Sequence, residues 1–235
     1  MSVMGLFFVF IASIAVTWLW RQGVMSSTWL AEGEVANYPG EALSPPPAAK
    51  VGLGVYLVVA GCLFSLMTAA FFMRMESSDW QPPPAPGILW FNTLALVVSS
   101  ATIQMAQFAA ASRSREGLKL WLGASGVFSL AFLLGQLCAW RELVDAGLYA
   151  SSNPANAFFF LLTGAHGLHL IGGLVALGRT FRGAWDDRRN TALLASSVEL
   201  CAIYWHFLLF VWLLLFAMLT GRAEALGAIC RRILG

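Results

Sequence analysis

Six stretches of the chain, each of about twenty residues or a little more and almost free of charge, limit what it can become. They run over Met1–Trp20, Val51–Met73, about Gly87–Ser112, Leu120–Trp140, Ala155–Gly178 and Leu194–Thr220. An α-helix rises about 1.5 Å per residue, so each run can cross the ~30 Å apolar core of a bilayer. Backbone groups in lipid must find partners within the protein, and uninterrupted apolar runs of this length do so as helices. The predicted fold is therefore all-α, a polytopic membrane helical bundle with six transmembrane helices. Composition agrees, since 11% of the 235 residues are charged against roughly a quarter in soluble domains.

The runs divide the chain into an N-terminal transmembrane helix (1–22), a linker with Pro45-Pro46-Pro47 (23–50), a five-helix block (51–221) and a tail (222–235). Met1–Trp20 has no basic residue ahead of its apolar stretch and no clear small-residue cleavage site after it, so it reads as a retained helix, not a signal peptide. Arg21, Lys50, Arg113, Arg115, Lys119, Arg179, Arg182, Arg188 and Arg189 follow spans one, three and five; Arg74, Arg141, Arg222, Arg231 and Arg232 lie on the other side. The excess of positive charge places loops one, three and five in the cytoplasm and both termini outside. Trp18, Trp20, Trp90, Trp121, Trp140, Trp185 and Trp205 fall near span ends, where amphipathic rings favour the interface. A net charge of +2 gives no basic surface for nucleic acid. Cys62, Cys138, Cys201 and Cys230 are scattered without a C-x-x-C pair, which indicates neither a disulfide framework nor a thiolate metal site.

Of the twelve acidic residues only Glu199 lies inside a span, and all three histidines do: His166 and His169 on the fifth, His206 on the sixth. A carboxylate at membrane depth asks for a partner or a role. Spacing of three puts His166 and His169 on one helical face, and spacing of seven puts Glu199 and His206 on another. Gly164, Ala165, Gly167, Gly172 and Gly173 suit close helix approach. Two readings compete: a four-ligand metal site, or a structural polar network of His166, His169, Glu199 and His206. A di-iron site wants more glutamates and a thiolate copper centre paired cysteines, so the network is favoured, with no metal and no catalytic residue in this chain. Asn92, Thr93, Ser99, Ser100, Gln104 and Gln136 suit bonds between helices better than a transport path. Arg179, Arg182, Arg188 and Arg189 suit anionic lipid head groups, or simply hold their loop in the cytoplasm.

Phe158-Phe159-Phe160-Leu161-Leu162-Thr163-Gly164-Ala165-His166-Gly167-Leu168-His169, followed by Gly172, resembles a helix of subunit III of haem-copper cytochrome c oxidases. Glu199 with Tyr204-Trp205-His206-Phe207 and Trp212 resembles that family's last helix, Asn92-Thr93-Leu94 with Ser99-Ser100 is similar to an earlier one, and Phe132 to Gln136 with Trp140 to the helix after it. The chain departs from the family pattern in having one helix, not two, before the five-helix block. It also has Ala60, Ala139 and Leu209 where that pattern has carboxylates.

The resemblance implies a non-catalytic subunit in a bacterial inner membrane, packed on the haem-bearing subunit I, with subunit II and other subunits in the same complex. It implies bound phospholipid, haem and copper in the partner subunits only, and a part in sustained oxygen reduction coupled to proton translocation in aerobic respiratory electron transport. Two alternatives stand beside it: a subunit III-like accessory protein of a nitric oxide reductase, and an independent transporter with a Glu/His proton relay.

Overall fold

The computed structural model describes residues 48–221 apart from 76, 82–85, 113 and 187–190. The expected Met1–Trp20 helix, the linker ahead of Ala48, the tail 222–235 and the arginines Arg188 and Arg189 lie outside the described residues. The rest is helical: α1 (Ala48–Met75), α2 (Ile88–Ala111), α3 (Arg115–Asp145), α4 (Pro154–Trp185) and α5 (Thr191–Leu219). All five are long and apolar enough to cross a membrane, so the all-α, multi-span architecture holds for the described residues of the block from Val51 onward.

The ends of these helices follow from local chemistry. Ser114 caps α3 by accepting from the Gly117 amide at 3.3 Å. Asn153 caps α4 by accepting from the Ala155 amide at 2.9 Å, ahead of Pro154, whose missing N–H would have had no helical partner there. Past Asp145 the chain turns at Gly147, with φ +78°, and the Leu148 amide returns to the Leu143 carbonyl at 2.9 Å, a left-handed stop that glycine accepts without strain. With these caps α3 reaches 31 residues and α4 32, about 46–48 Å and well beyond a bilayer core. Arg179 and Arg182, expected in a loop, therefore occupy the exposed last turns of α4.

Two compact units make up the chain, Met1–Ser65 and Leu66–Gly235. The described part of the first is the amino-terminal stretch of α1, uncharged beyond Lys50. In the second, α2 packs on α3, α3 on α4, α4 on α5, and α5 returns to α2, closing a ring whose most extensive seam is α2–α3. Phe132, Leu208, Trp205 and Trp212 are fully buried in its core, while Leu94, Leu134 and Leu168 are more than 60% exposed. An apolar exterior of this kind suits lipid, and polar groups then serve inside, where helices meet. Trp205 departs from the interfacial position expected for it: it lies near the middle of α5 with no exposure at all.

Candidate functional site

The polar side chains inside the ring form several small clusters. On α2 the Ser99 hydroxyl meets those of Ser125 and Ser129 on α3 at 3.1 and 2.7 Å. The Trp205 indole N–H of α5 donates to Ser99 at 2.9 Å and to Ser129 at 3.1 Å. All four side chains are fully buried, so one indole proton and three hydroxyls join three helices. Ser125 and Ser129 lie outside the motifs that point to this seam, although a spacing of four on a charge-free helix is signal enough for a shared face.

Further along the same seam, the Asn92 amide donates to the Gln136 carbonyl oxygen at 3.2 Å. Gly135 makes this pair possible, because a Cβ there would overlap the Asn92 side chain. Asn92, Ser99 and Gln136 thus bond between helices, as expected from the sequence. The Trp212 indole donates to Thr93 at 3.0 Å, and Thr93 in turn to the Leu89 carbonyl at 2.8 Å. Trp140 donates to Thr163 at 3.0 Å, which donates to the Phe159 carbonyl at 2.7 Å. A threonine that bonds its own helix can still accept an indole proton, and both tryptophans use this.

His166 is fully buried on α4. Its Nε2 lies 3.1 Å from the Leu208 carbonyl oxygen of α5, so Nε2 carries the proton in that bond. The ring stands edge-on to Phe132 of α3, centroids 5.4 Å apart, and tilted against Trp212 of α5 at 5.2 Å. His169 is half-buried and bonds through Nδ1 to the Ala165 carbonyl of its own helix at 2.8 Å, while its backbone carbonyl accepts from the Tyr204 hydroxyl at 2.9 Å. His206 bonds through Nδ1 to the Ala202 carbonyl of its own helix and is exposed. Glu199, two turns earlier on the same face, is half-buried. Of the small residues expected to admit close approach, Gly173 does so: a Cβ there would come within 2.6 Å of the Tyr204 ring. Gly164 and Gly167 have ordinary spacing, and Gly172 faces open space. No three His, Cys, Asp or Glu side chains converge into a possible metal site among the described residues.

The two ends of the bundle differ in chemistry. At one end Arg115 donates to the Asp186 carbonyl at 3.1 Å and the Lys119 ammonium lies 4.5 Å over the Trp185 ring, beside the exposed Arg179 and Arg182. At the other end Arg74 grips Asp79 with two bonds, of 2.9 and 2.6 Å. The Arg74 guanidinium holds the Asp79 carboxyl below its ordinary range. Phe71 packs edge-on against Trp80 and Phe158, and Asn153 donates to the Gln81 carbonyl.

The residues engaged in these contacts, from Asn92 and Ser99 through His166 to Trp205 and Trp212, lie in the segments that carry the resemblance noted above. A family model described as "Cytochrome c oxidase subunit III" matches residues 3–220. The chain belongs to the cytochrome c oxidase subunit III family. A "Probable cytochrome c oxidase subunit 3" of Mycobacterium tuberculosis is 34% identical over 204 residues, 83% of this chain and 98% of the relative. One of Nocardia farcinica is 33% identical over 184 residues, 74% of this chain and 88% of the relative. A "Cytochrome c oxidase subunit 3" of Synechocystis is 30% identical over 206 residues, 83% of this chain and 86% of the relative. As a member of this family the chain is an integral membrane, non-catalytic subunit III of a multi-subunit haem-copper oxidase of the respiratory chain. These relatives lend nothing to the nitric oxide reductase and transporter alternatives.

Proposed function

We propose that the five-helix block packs on the haem-bearing subunit I, with subunit II and further subunits in the same assembly, and supports assembly and sustained turnover of an oxygen-reducing, proton-translocating complex. The observation that carries this reading is how the mid-membrane polar groups are engaged. Trp205 bridges Ser99 and Ser129, and His166 reaches the Leu208 carbonyl, so these groups act as fasteners between helices. His166, His169, Glu199 and His206 serve as structural polar residues with no bound metal, and haem and copper reside in the partner subunits. Where the family pattern has carboxylates, Ala60 and Ala139 are buried alanines, which argues against a chain of acids that would carry protons through this subunit.

In this reading Arg179 and Arg182, with Arg188 and Arg189 beyond them, contact phospholipid head groups at the cytoplasmic face of a bacterial inner membrane. Loops one, three and five face the cytoplasm and the carboxyl terminus faces outward. A tagged chain extracted in mild detergent is expected to elute with haem absorbance and a large histidine-rich membrane subunit. Elution as a haem-free homo-oligomer with transport activity overturns the proposal. For orientation, a cysteine at Ser114 is expected to label only from the cytoplasm and one at Ser152 only from outside.

A further inference from the structure

Facing outward at mid-span, the Leu66–Gly235 unit presents almost nothing but carbon: Leu94 and Met105 on α2, Leu130 and Leu134 on α3, Leu168 and Ile171 on α4. Among the described residues of this unit, His206 is the one exposed side chain at that depth with a strong hydrogen-bonding group. It sits midway between the ends of the Leu193–Leu219 span, beyond reach of head groups on either side. Its Nδ1 faces the Ala202 carbonyl oxygen, and a carbonyl only accepts, so Nδ1 carries the proton. With Nδ1–H so placed, the uncharged tautomer of the ring offers Nε2 as a lone-pair acceptor. Lipid tails have no donor for it, and a polar group left unmatched in hydrocarbon is costly.

His206 also lies on a straight stripe. Leu213, one heptad later, is 42% exposed, and Glu199, one heptad earlier, is half-buried. A repeat of seven is the spacing at which one helix presents a continuous seam to another that lies along it. We infer that this stripe of α5 is where a transmembrane helix of another oxidase subunit docks, with a donor side chain of that helix, a hydroxyl, amide or indole N–H, on His206 Nε2. The inference rests on the subunit association proposed above and adds the face and its bonding chemistry.

The test uses the whole complex in its own membrane. Leu213→p-benzoylphenylalanine is expected to give a photo-adduct with another subunit, whereas the same substitution at Leu134 or Leu168 gives lipid adducts. His206→Leu is expected to reduce retention of this chain in the detergent-extracted complex roughly three- to tenfold, and His206→Gln, which keeps an acceptor, to restore most of it. Adducts from position 213 with lipid only, with a second copy of this chain or with its own Met1–Ser65 segment overturn the docking face, as does wild-type retention in His206→Leu. Co-purification without an α5 adduct overturns the docking face alone; an unsubstituted chain that purifies without partners overturns the association and the docking face together.

Discussion

Between α2 and α3 polar side chains bond to one another as well as to main chain: Ser99 with Ser125 and Ser129, Ser99 and Ser125 each with the other's carbonyl, and Asn92 with Gln136 over the bare backbone of Gly135. Between α4 and α5 two large rings bond to main chain, the His166 ring to the Leu208 carbonyl and the Tyr204 hydroxyl to the His169 carbonyl, and one small pair, Thr180 and Cys201, meets side chain to side chain. The difference follows from reach. Serine and glycine let two helices approach until short hydroxyls touch, as in other small-residue seams in membranes. Imidazole and phenol are longer and find the second lone pair of a carbonyl already used in its own helix. Trp205 belongs to both arrangements, since it stands on α5 and donates into the serine cluster. An apolar ring of helices thus gains a defined register from a few polar contacts rather than from a hydrophobic driving force, which lipid does not supply.

The sharpest way to break the comparison is Gly135→Val. The new side chain would occupy the place of the Asn92 amide, and overpacking of this kind costs about 1–3 kcal/mol, with the lost buried hydrogen bond in addition. The amount of assembled, detergent-stable protein is expected to fall severely. Gly173→Val is expected to have the next largest effect, because it forces the Tyr204 ring aside and breaks its bond to His169. Gly172→Val, one residue away in open space, is expected to leave thermal stability in detergent unchanged. Equal losses at Gly172 and Gly173 would refute the described α4–α5 packing.

His166→Ala opens a cavity beside Phe132 and Trp212 and removes the link to Leu208, an expected loss of about 2–3 kcal/mol by analogy with other core truncations. The yield of complex is expected to drop while turnover per remaining haem stays unchanged. Loss of turnover at normal yield would show that the imidazole does more than join helices. Trp205→Phe keeps one six-membered ring and removes the N–H together with the rest of the pyrrole ring; the hydrogen-bond share of the loss is expected to be about 0.6–1.5 kcal/mol. Combined with Ser99→Ala it should be less than additive, because both changes remove the same bond. Smallest is the exposed Arg74–Asp79 pair. The aspartate pKa is lowered in the folded chain, so the pair's contribution is present above the ordinary carboxylate range and fades as pH falls through the lowered value. Asp79→Asn is expected to remove that acid dependence from the melting temperature and to change little at neutral pH.

Much of this was legible in the chain itself. Charge-free runs located five helices that the structure contains, because the length of an apolar segment and the need to satisfy its backbone leave few options in a bilayer. The motifs around His166 and Trp205 point to the subunit III family, and Asn92, Ser99 and Gln136, polar residues inside charge-free runs, point to contacts between helices. Apolar length is a property of one segment and its neighbours in sequence, so it survives any packing. The charged flanks are less legible: Arg115 and Lys119 at one end of α3, and Arg179 and Arg182 on α4, continue the helix past the membrane core. A charge ends the apolar run without ending the hydrogen-bond ladder, which stops only where Gly147 or a cap residue stops it.

Which way each polar side chain faces was decided by tertiary structure. These helices are apolar around most of their circumference, so hydrophobic periodicity gives little sign of an inner face. Spacing correctly placed Glu199 and His206 on one side of α5, yet it could not say that His206 is exposed there while Trp205, its neighbour in sequence, is fully buried. The Ser99–Ser125–Ser129–Trp205 cluster draws on three helices far apart in sequence, and no local pattern encodes a bond whose two ends meet only when the ring closes. The sequence determined which segments enter the membrane and which groups must find partners; the packing of α2, α3, α4 and α5 chose the partners, because a hydrogen bond depends on distance and direction that only neighbouring helices supply.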